Sequence, residues 1–181
     1  YEIELTNYYF GQYVNAKNLH WYYIPLWILV TTPIYIVILF IIGFFFQTLR
    51  ILKRIVKIED NFSYNDLWRG KLELYDLIFF SIIFISIFSI ILLNSTLYTG
   101  WRHLYFIYPF LIIFSIHAIK NISIYFKKNL KMKGIFFSFL ATLILYNFFW
   151  IYKYHPHQNV YFNFLAGQKP HLNYEIDYWG L

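Results

Sequence analysis

Arg102 and His103 stand side by side in the stretch Tyr98-Thr-Gly-Trp-Arg-His-Leu-Tyr-Phe-Ile-Tyr-Pro109. A guanidinium is a rigid fork of donors suited to phosphate oxygens, and it costs least where a helix end meets a membrane interface. Gly100 permits a tight turn or a close approach, while Trp101 and Tyr105 are suited to pack against a lipid or a sugar. Phosphate binding is therefore one expectation for Arg102 and His103. A plain interface anchor is the other.

A second constellation fills the end of the chain, where His155, His157, Asn159 and Asn163 mix with Tyr161 and Phe162, and Glu175 and Asp177 precede Tyr178 and Trp179. On a strand, residues 175, 177 and 179 would share one face. Paired carboxylates beside aromatics serve carbohydrate binding, metal binding or glycosyl chemistry, and equally a packed polar interface. His155, His157, Glu175 and Asp177 lack the spacing of a zinc site, and Pro156 stiffens the histidine pair. A divalent cation stays open as a cofactor. His20 and His117 read as packing residues, although a histidine inside a membrane span must find a partner.

The elements that position these residues are hydrophobic blocks. Of 181 residues 60% are hydrophobic and 13% charged, and the apolar ones cluster in long runs, which excludes an ordinary water-soluble bundle with one polar face per helix. The pattern predicts an all-α polytopic membrane protein with four transmembrane helices at residues 24–46, 77–93, 104–119 and 135–151. Residues 1–23 form an extracytoplasmic loop or interfacial segment, 24–151 the transmembrane region, and 152–181 the start of a small extracytoplasmic C-terminal domain, truncated here. Pro33 inside the first block, with Pro25 near its start, predicts a kink or a two-part element. Trp21, Tyr22, Tyr23 and Trp27 fit an aromatic belt there. Asp76 stands where an N-cap would serve the second span, the third carries Pro109 and His117, and the fourth follows Gly134. The last three blocks are short, so flanking Tyr, Trp and Lys side chains must extend them. A polar tail with Gly167 to Pro170 reads as a turn between two short elements.

The net charge of +6 makes no stripe of the kind nucleic acid needs. Six cations, Arg50, Lys53, Arg54, Lys57, Arg69 and Lys71, fall between the first two blocks, and Lys120, Lys127, Lys128, Lys131 and Lys133 fall between the last two. Only Lys17, Arg102, Lys153 and Lys169 remain, so the positive-inside rule puts both chain ends outside. Leu49, Leu52 and Val56 share a helical face opposite Arg50, Arg54 and Lys57, which predicts an interfacial amphipathic helix contacting anionic lipid. The start at Tyr1 and the end at Leu181 predict a fragment of a longer chain.

Three motifs carry a family resemblance: Trp21-Tyr-Tyr-Ile-Pro-Leu-Trp27 with Thr32-Pro33, Gly100 to Pro109, and His155-Pro-His-Gln-Asn-Val-Tyr-Phe-Asn163 with Tyr174-Glu-Ile-Asp-Tyr-Trp-Gly180. The chain resembles the C-terminal half of a protein-mannosyltransferase-like (family 39-like) membrane glycosyltransferase of the GT-C superfamily. His157 departs from the pattern, which has an aromatic residue there. The resemblance implies an inverting enzyme that moves a sugar from a polyprenyl-phosphate donor to a protein, lipid or glycan acceptor outside a bacterial cytoplasmic membrane. It puts the acidic general base in an upstream outer loop, so no catalytic residue is expected here and Glu2 and Glu4 are not given that role. It places Arg102 and His103 at the donor phosphate, with Trp101, Tyr105, Trp21 and Tyr22 as sugar or lipid contacts. His155, Asn159, Tyr161, Asn163, Glu175, Asp177 and Trp179 would contact the acceptor or hold the outer domain. The alternatives are a transporter or flippase for a lipid-linked glycan, which would need ionisable residues deep in several spans, and a noncatalytic assembly subunit.

Overall fold

Pro33 sets the first break in the chain. A residue before proline is steered out of the helical region, and Thr32 is extended, with φ −99° and ψ 140°. Helix α1 (Tyr23–Thr31) stops there and α2 (Ile34–Val56) starts afresh after the proline, whose carbonyl accepts from the Ile36 and Val37 amides at 2.8 and 3.2 Å. Pro25 falls in the first turn of α1, where a missing N–H breaks no intrahelical bond. The block at 24–46 is thus a two-part element, and its membrane-length part begins only at Ile34.

The computed structural model describes residues 5–56, 67–157 and 161–176. Among these, four helices are long and apolar enough to cross a membrane: α2, α3 (Gly70–Leu92), a helix that opens as a 3-10 segment at Arg102–Ile107 and continues through α4 (Tyr108–Tyr125) to Lys128, and α5 (Leu130–Lys153). The chain is an integral, multi-pass, all-α membrane protein. Among the described residues, strand structure is confined to an antiparallel hairpin, β1 (Thr6–Tyr9) and β2 (Gln12–Asn15), in register Thr6 to Asn15. Its two-residue turn has Phe10 at φ 51° and Gly11 at φ 72°, the positive pair that matches the twist of flanking strands.

The helices extend beyond the apolar blocks because they take charged residues into their first and last turns. Asp76 is not an N-cap: α3 starts at Gly70, so Asp76 lies inside the helix, about 9 Å along it at ~1.5 Å per residue. The fourth span likewise begins before Gly134, at Leu130, capped by Asn129 Oδ1 accepting from the Met132 amide at 3.1 Å. Residues 49–56 form no separate interfacial helix. They are the end of α2, and Arg50 and Arg54 turn toward α3 carboxylates instead of the bilayer surface. Pro109 sits in the first turn of α4, where the 3-10 segment hands over to α-helix, so it opens that helix without kinking its interior.

α2 and α4 form the tightest helix pair. A Cβ added at Gly43 would lie 1.8 Å from the Phe114 carbonyl oxygen, so only glycine allows this approach. Ser115 Oγ lies 2.9 Å from the Leu111 carbonyl and 3.1 Å from the Ile36 carbonyl across the interface. α3 joins through aromatic rings, with Phe44 and Phe80 stacked at 4.8 Å. α5 has no fully buried residue. Its outward Phe and Ile side chains suit a bilayer, where acyl chains supply the apolar surround.

Contacts between elements divide the bundle into two ends. The hairpin meets the segment after α3 through Asn7 Nδ2, which donates to the Leu97 carbonyl at 2.8 Å. The tail meets the hairpin through an isolated bridge between Tyr9 and Tyr174. The opposite end joins α2 to α3 through Arg54 and Glu73 and α3 to α4 through Asp76 and His117. Short 3-10 turns at Phe164–Ala166 and Pro170–Leu172 flank Gly167, at φ 87°. The expected turn lies there.

Candidate functional site at the aromatic end

Loop 93–101 is held by hydrogen bonds that its sequence alone does not announce. Asn94, Thr99 and Gly100 all take positive φ, a conformation only glycine adopts without strain. The Gly100 amide donates to the Tyr23 hydroxyl at 3.2 Å, and that hydroxyl donates to Asn7 Oδ1 at 2.8 Å. Asn7 is fully buried and Tyr23 is 1% exposed, so this chain of bonds satisfies groups that water does not reach. Burial pushes the Tyr23 phenol up, the Gly100 amide opposes that shift, and the Glu175 carboxylate adds to it.

This scaffold delivers Arg102 and His103 to the head of the third span. The Arg102 guanidinium carbon lies 4.7 Å from the centre of the Tyr98 ring, and the His103 ring meets the same ring edge-on at 4.8 Å. A cation against an aromatic face is attracted by the ring quadrupole, so Tyr98 orients both basic side chains together. Trp101 is buried, and its Nε1 donates to Thr31 Oγ1 at 2.9 Å, pinning the loop to the end of α1. Its indole is thereby committed to packing. Tyr105, packed edge-on to Trp101 at 4.9 Å, is exposed and open to a ligand.

Trp21 is exposed and lines a cavity of about 120 Å³ with Lys17, His20 and Tyr23. Tyr22 stacks on His20 at 5.0 Å, whose Nδ1 lies 2.8 Å from the Tyr9 hydroxyl. Arg102 and His103 do not line that cavity, so the expected contacts fall into two groups: Arg102, His103 and Tyr105 in one, Trp21 and Tyr22 in the other.

In the tail, Asn163 is the most constrained residue. Its amide donates to the Leu29 and Thr32 carbonyls at 2.6 and 2.7 Å, its Oδ1 accepts from Leu165 at 2.9 Å, and its backbone N–H donates to the Val30 carbonyl at 2.8 Å. Carbonyls at a helix C-terminus have no partner within the helix. Asn163 supplies them where Thr32-Pro33 stops α1, so its side chain is occupied by structure. Tyr161 meets Trp150 edge-on at 4.7 Å, and burial with the neighbouring Tyr146, Tyr35 and Tyr108 pushes its phenol up to about 12. The Glu175 amide donates to the Tyr8 carbonyl at 3.0 Å, and its carboxylate approaches Tyr23. His155 and His157 are exposed in the turn that ends α5. Asn159, Asp177 and Trp179 lie outside the described residues. Among the described residues no three His, Cys, Asp or Glu side chains converge as metal ligands.

Sequence reading missed the polar cluster at the other end, where Arg54 pairs bidentately with Glu73, with Nη2 to Oε1 at 2.8 Å. Arg50 Nη1 lies 3.5 Å from both Glu73 and Asp76, and Asp76 Oδ1 lies 3.5 Å from His117 Nε2. His117 thus has its partner. The available signal was spacing: Arg50 and Arg54 at i, i+4 and Glu73 and Asp76 at i, i+3 each share a helix face.

Fold and site together define an integral, multi-pass, all-α membrane protein with an aromatic cap at one end of its bundle and a charged cluster at the other. No protein-family model, curated protein or solved structure matches the chain.

Proposed function

We propose that this chain works as a membrane glycosyltransferase of the GT-C type, moving a sugar from a polyprenyl-phosphate donor to a protein, lipid or glycan acceptor. The observation that carries the reading is the shared seat of Arg102 and His103 on the Tyr98 ring at the head of the third span. A phosphate diester anchored by its lipid chain presents its charge at that level. As the acceptor oxygen bonds to the sugar and the bond to the phosphate oxygen breaks, charge grows on the leaving phosphate, and a prepositioned guanidinium stabilises it. The acceptor proton goes to a base outside the residues described, as the family resemblance implies.

Arg102→Ala in the full-length protein should lower sugar transfer about tenfold or more, corresponding to about 1.4 kcal/mol of transition-state stabilisation. Arg102→Lys should rescue only part, because a point charge does not reproduce a fork of donors. Undiminished transfer by a correctly inserted alanine variant would return Arg102 to an interface anchor. The same reading puts the aromatic end outside a bacterial cytoplasmic membrane, with both chain ends there. Cysteines placed at Lys128 and Gln168 should then label from opposite faces, and labelling from one face overturns that orientation.

Transport of a lipid-linked glycan draws on one observation: Arg50, Glu73, Asp76 and His117 come from three different spans. The cluster lies toward one end of the bundle, where its ion pairs join the three spans, so glycosyl transfer remains the reading we adopt.

A further inference from the structure

Between α2 and α4, at the end away from Arg102, runs a groove of about 550 Å³ whose lining includes Gln47, Arg50, His117, Lys120 and Asn121, together with Phe46 and Ile124. Gln47 is 7% exposed, and its Nε2 meets no partner among the described residues. Arg50 Nε and Nη2 are buried in the same state, since Nη1 alone faces the Asp76 and Glu73 carboxylates. Buried donors in native proteins are almost always satisfied, so several unmet on one wall point to an acceptor that completes them. The Lys120 ammonium and the Asn121 amide add donors to the same lining. Among the described residues of the lining the one carboxylate, Asp76, faces Arg50 and His117, and Glu73 is taken up by Arg54. The described lining therefore has a surplus of donors and of positive charge.

We infer that this groove binds a phosphate-bearing anion, with the Arg50 guanidinium and Gln47 amide donating to its oxygens and Lys120 neutralising its charge. Guanidinium forks match phosphate oxygens in both geometry and charge. Two sources share that chemistry, the headgroup of an anionic phospholipid and soluble phosphate. Exposed Phe46 and Ile124 offer an acyl chain an apolar wall that soluble phosphate does not use. Basic residues flanking membrane helices meet anionic lipids in general, but the unmet donors here are buried and directional.

The test is native mass spectrometry of the full chain in detergent, titrated separately with phosphatidylglycerol, phosphatidylcholine and inorganic phosphate. Arg50→Ala would also strip Asp76 of its guanidinium contact and unsettle the bundle, so Gln47→Leu and Lys120→Ala carry the experiment, with Lys131→Ala as a basic control outside the groove. Phosphatidylglycerol should bind in preference to phosphatidylcholine, and Lys120→Ala should weaken it about tenfold, Gln47→Leu less, and Lys131→Ala not at all. The same ranking for inorganic phosphate, without a lipid preference, supports the site and identifies the soluble anion as its ligand. No preference for either anion, or an equal loss in Lys131→Ala, overturns the inference.

Discussion

Apart from the buried Thr32 hydroxyl, the two ends of this bundle satisfy their polar groups in opposite ways. At the aromatic end Asn7, Tyr23 and Asn163 are buried, and each finds neutral partners in the chain itself. At the charged end Arg50 and Gln47 keep buried donors with no partner among the described residues, although two carboxylates lie nearby. Neutral groups that close on one another build a scaffold. Donors left in excess make a place for something else. Arg102 and His103 stand at the aromatic end, the first over the Tyr98 ring face and the second edge-on to the same ring.

The comparison breaks most visibly at Asn163. Removing its amide strands the Leu29 and Thr32 carbonyls and releases Leu165, so Asn163→Ala should cost about 3 kcal/mol, the toll of more than one unmet buried group. Thermal melting in detergent should show that loss at low and high salt alike, since no net charge is involved. A variant that melts with wild type would mean the tail is not what fastens α1.

The charged end should respond less, and differently. Glu73→Gln removes the carboxylate of the Arg54 pair, whose side chains are 13% and 23% exposed, and should cost about 1 kcal/mol at low ionic strength. Added salt should shrink the difference, because partly exposed charges are screened. A loss that ignores salt would place this pair with the neutral network.

The sequence disclosed these two regions unequally. Four apolar blocks, Pro33 as a break and the excess of cations beside two loops follow from composition and backbone rules, which act locally. The role of Asn163 does not, because the carbonyls it serves lie more than a hundred positions away and an asparagine after two aromatics reads the same in a loop, a cap or a binding site. Asp76 misled for a related reason. Its place before an apolar run fits an N-cap, but a partner arginine on α2 and a histidine on α4 make it tolerable inside a helix, and those partners come into view only with the helices docked. The tandem Arg102-His103 was legible as chemistry, while the ring that seats both became visible only in the folded loop.

The smallest effect at neutral pH belongs to Tyr161, and it carries a pH signature that the charged end lacks. Its ring meets Trp150 edge-on, and Tyr161→Phe keeps that contact while removing only the hydroxyl, so near pH 7 the variant should match wild type within about 0.5 kcal/mol. Burial, with Tyr146, Tyr35 and Tyr108 nearby, holds the folded phenol's pKa up to about 12, against an ordinary value of 10.0. A raised folded value means the folded state keeps a proton that the unfolded chain gives up first. The stabilisation is therefore complete below the ordinary value and drains away as pH climbs through the folded one. Wild type should lose stability between pH values of about 10 and 12, and Tyr161→Phe should lose less, with the remaining decline shared by raised phenols such as Tyr23. Melting of both proteins at about pH 9 and about pH 11, with tyrosinate absorbance followed in parallel, measures the difference. If the two proteins stay equally stable at the higher pH, Tyr161 faces water and the aromatic end is looser at its α5 margin than Asn163 makes it beside α1.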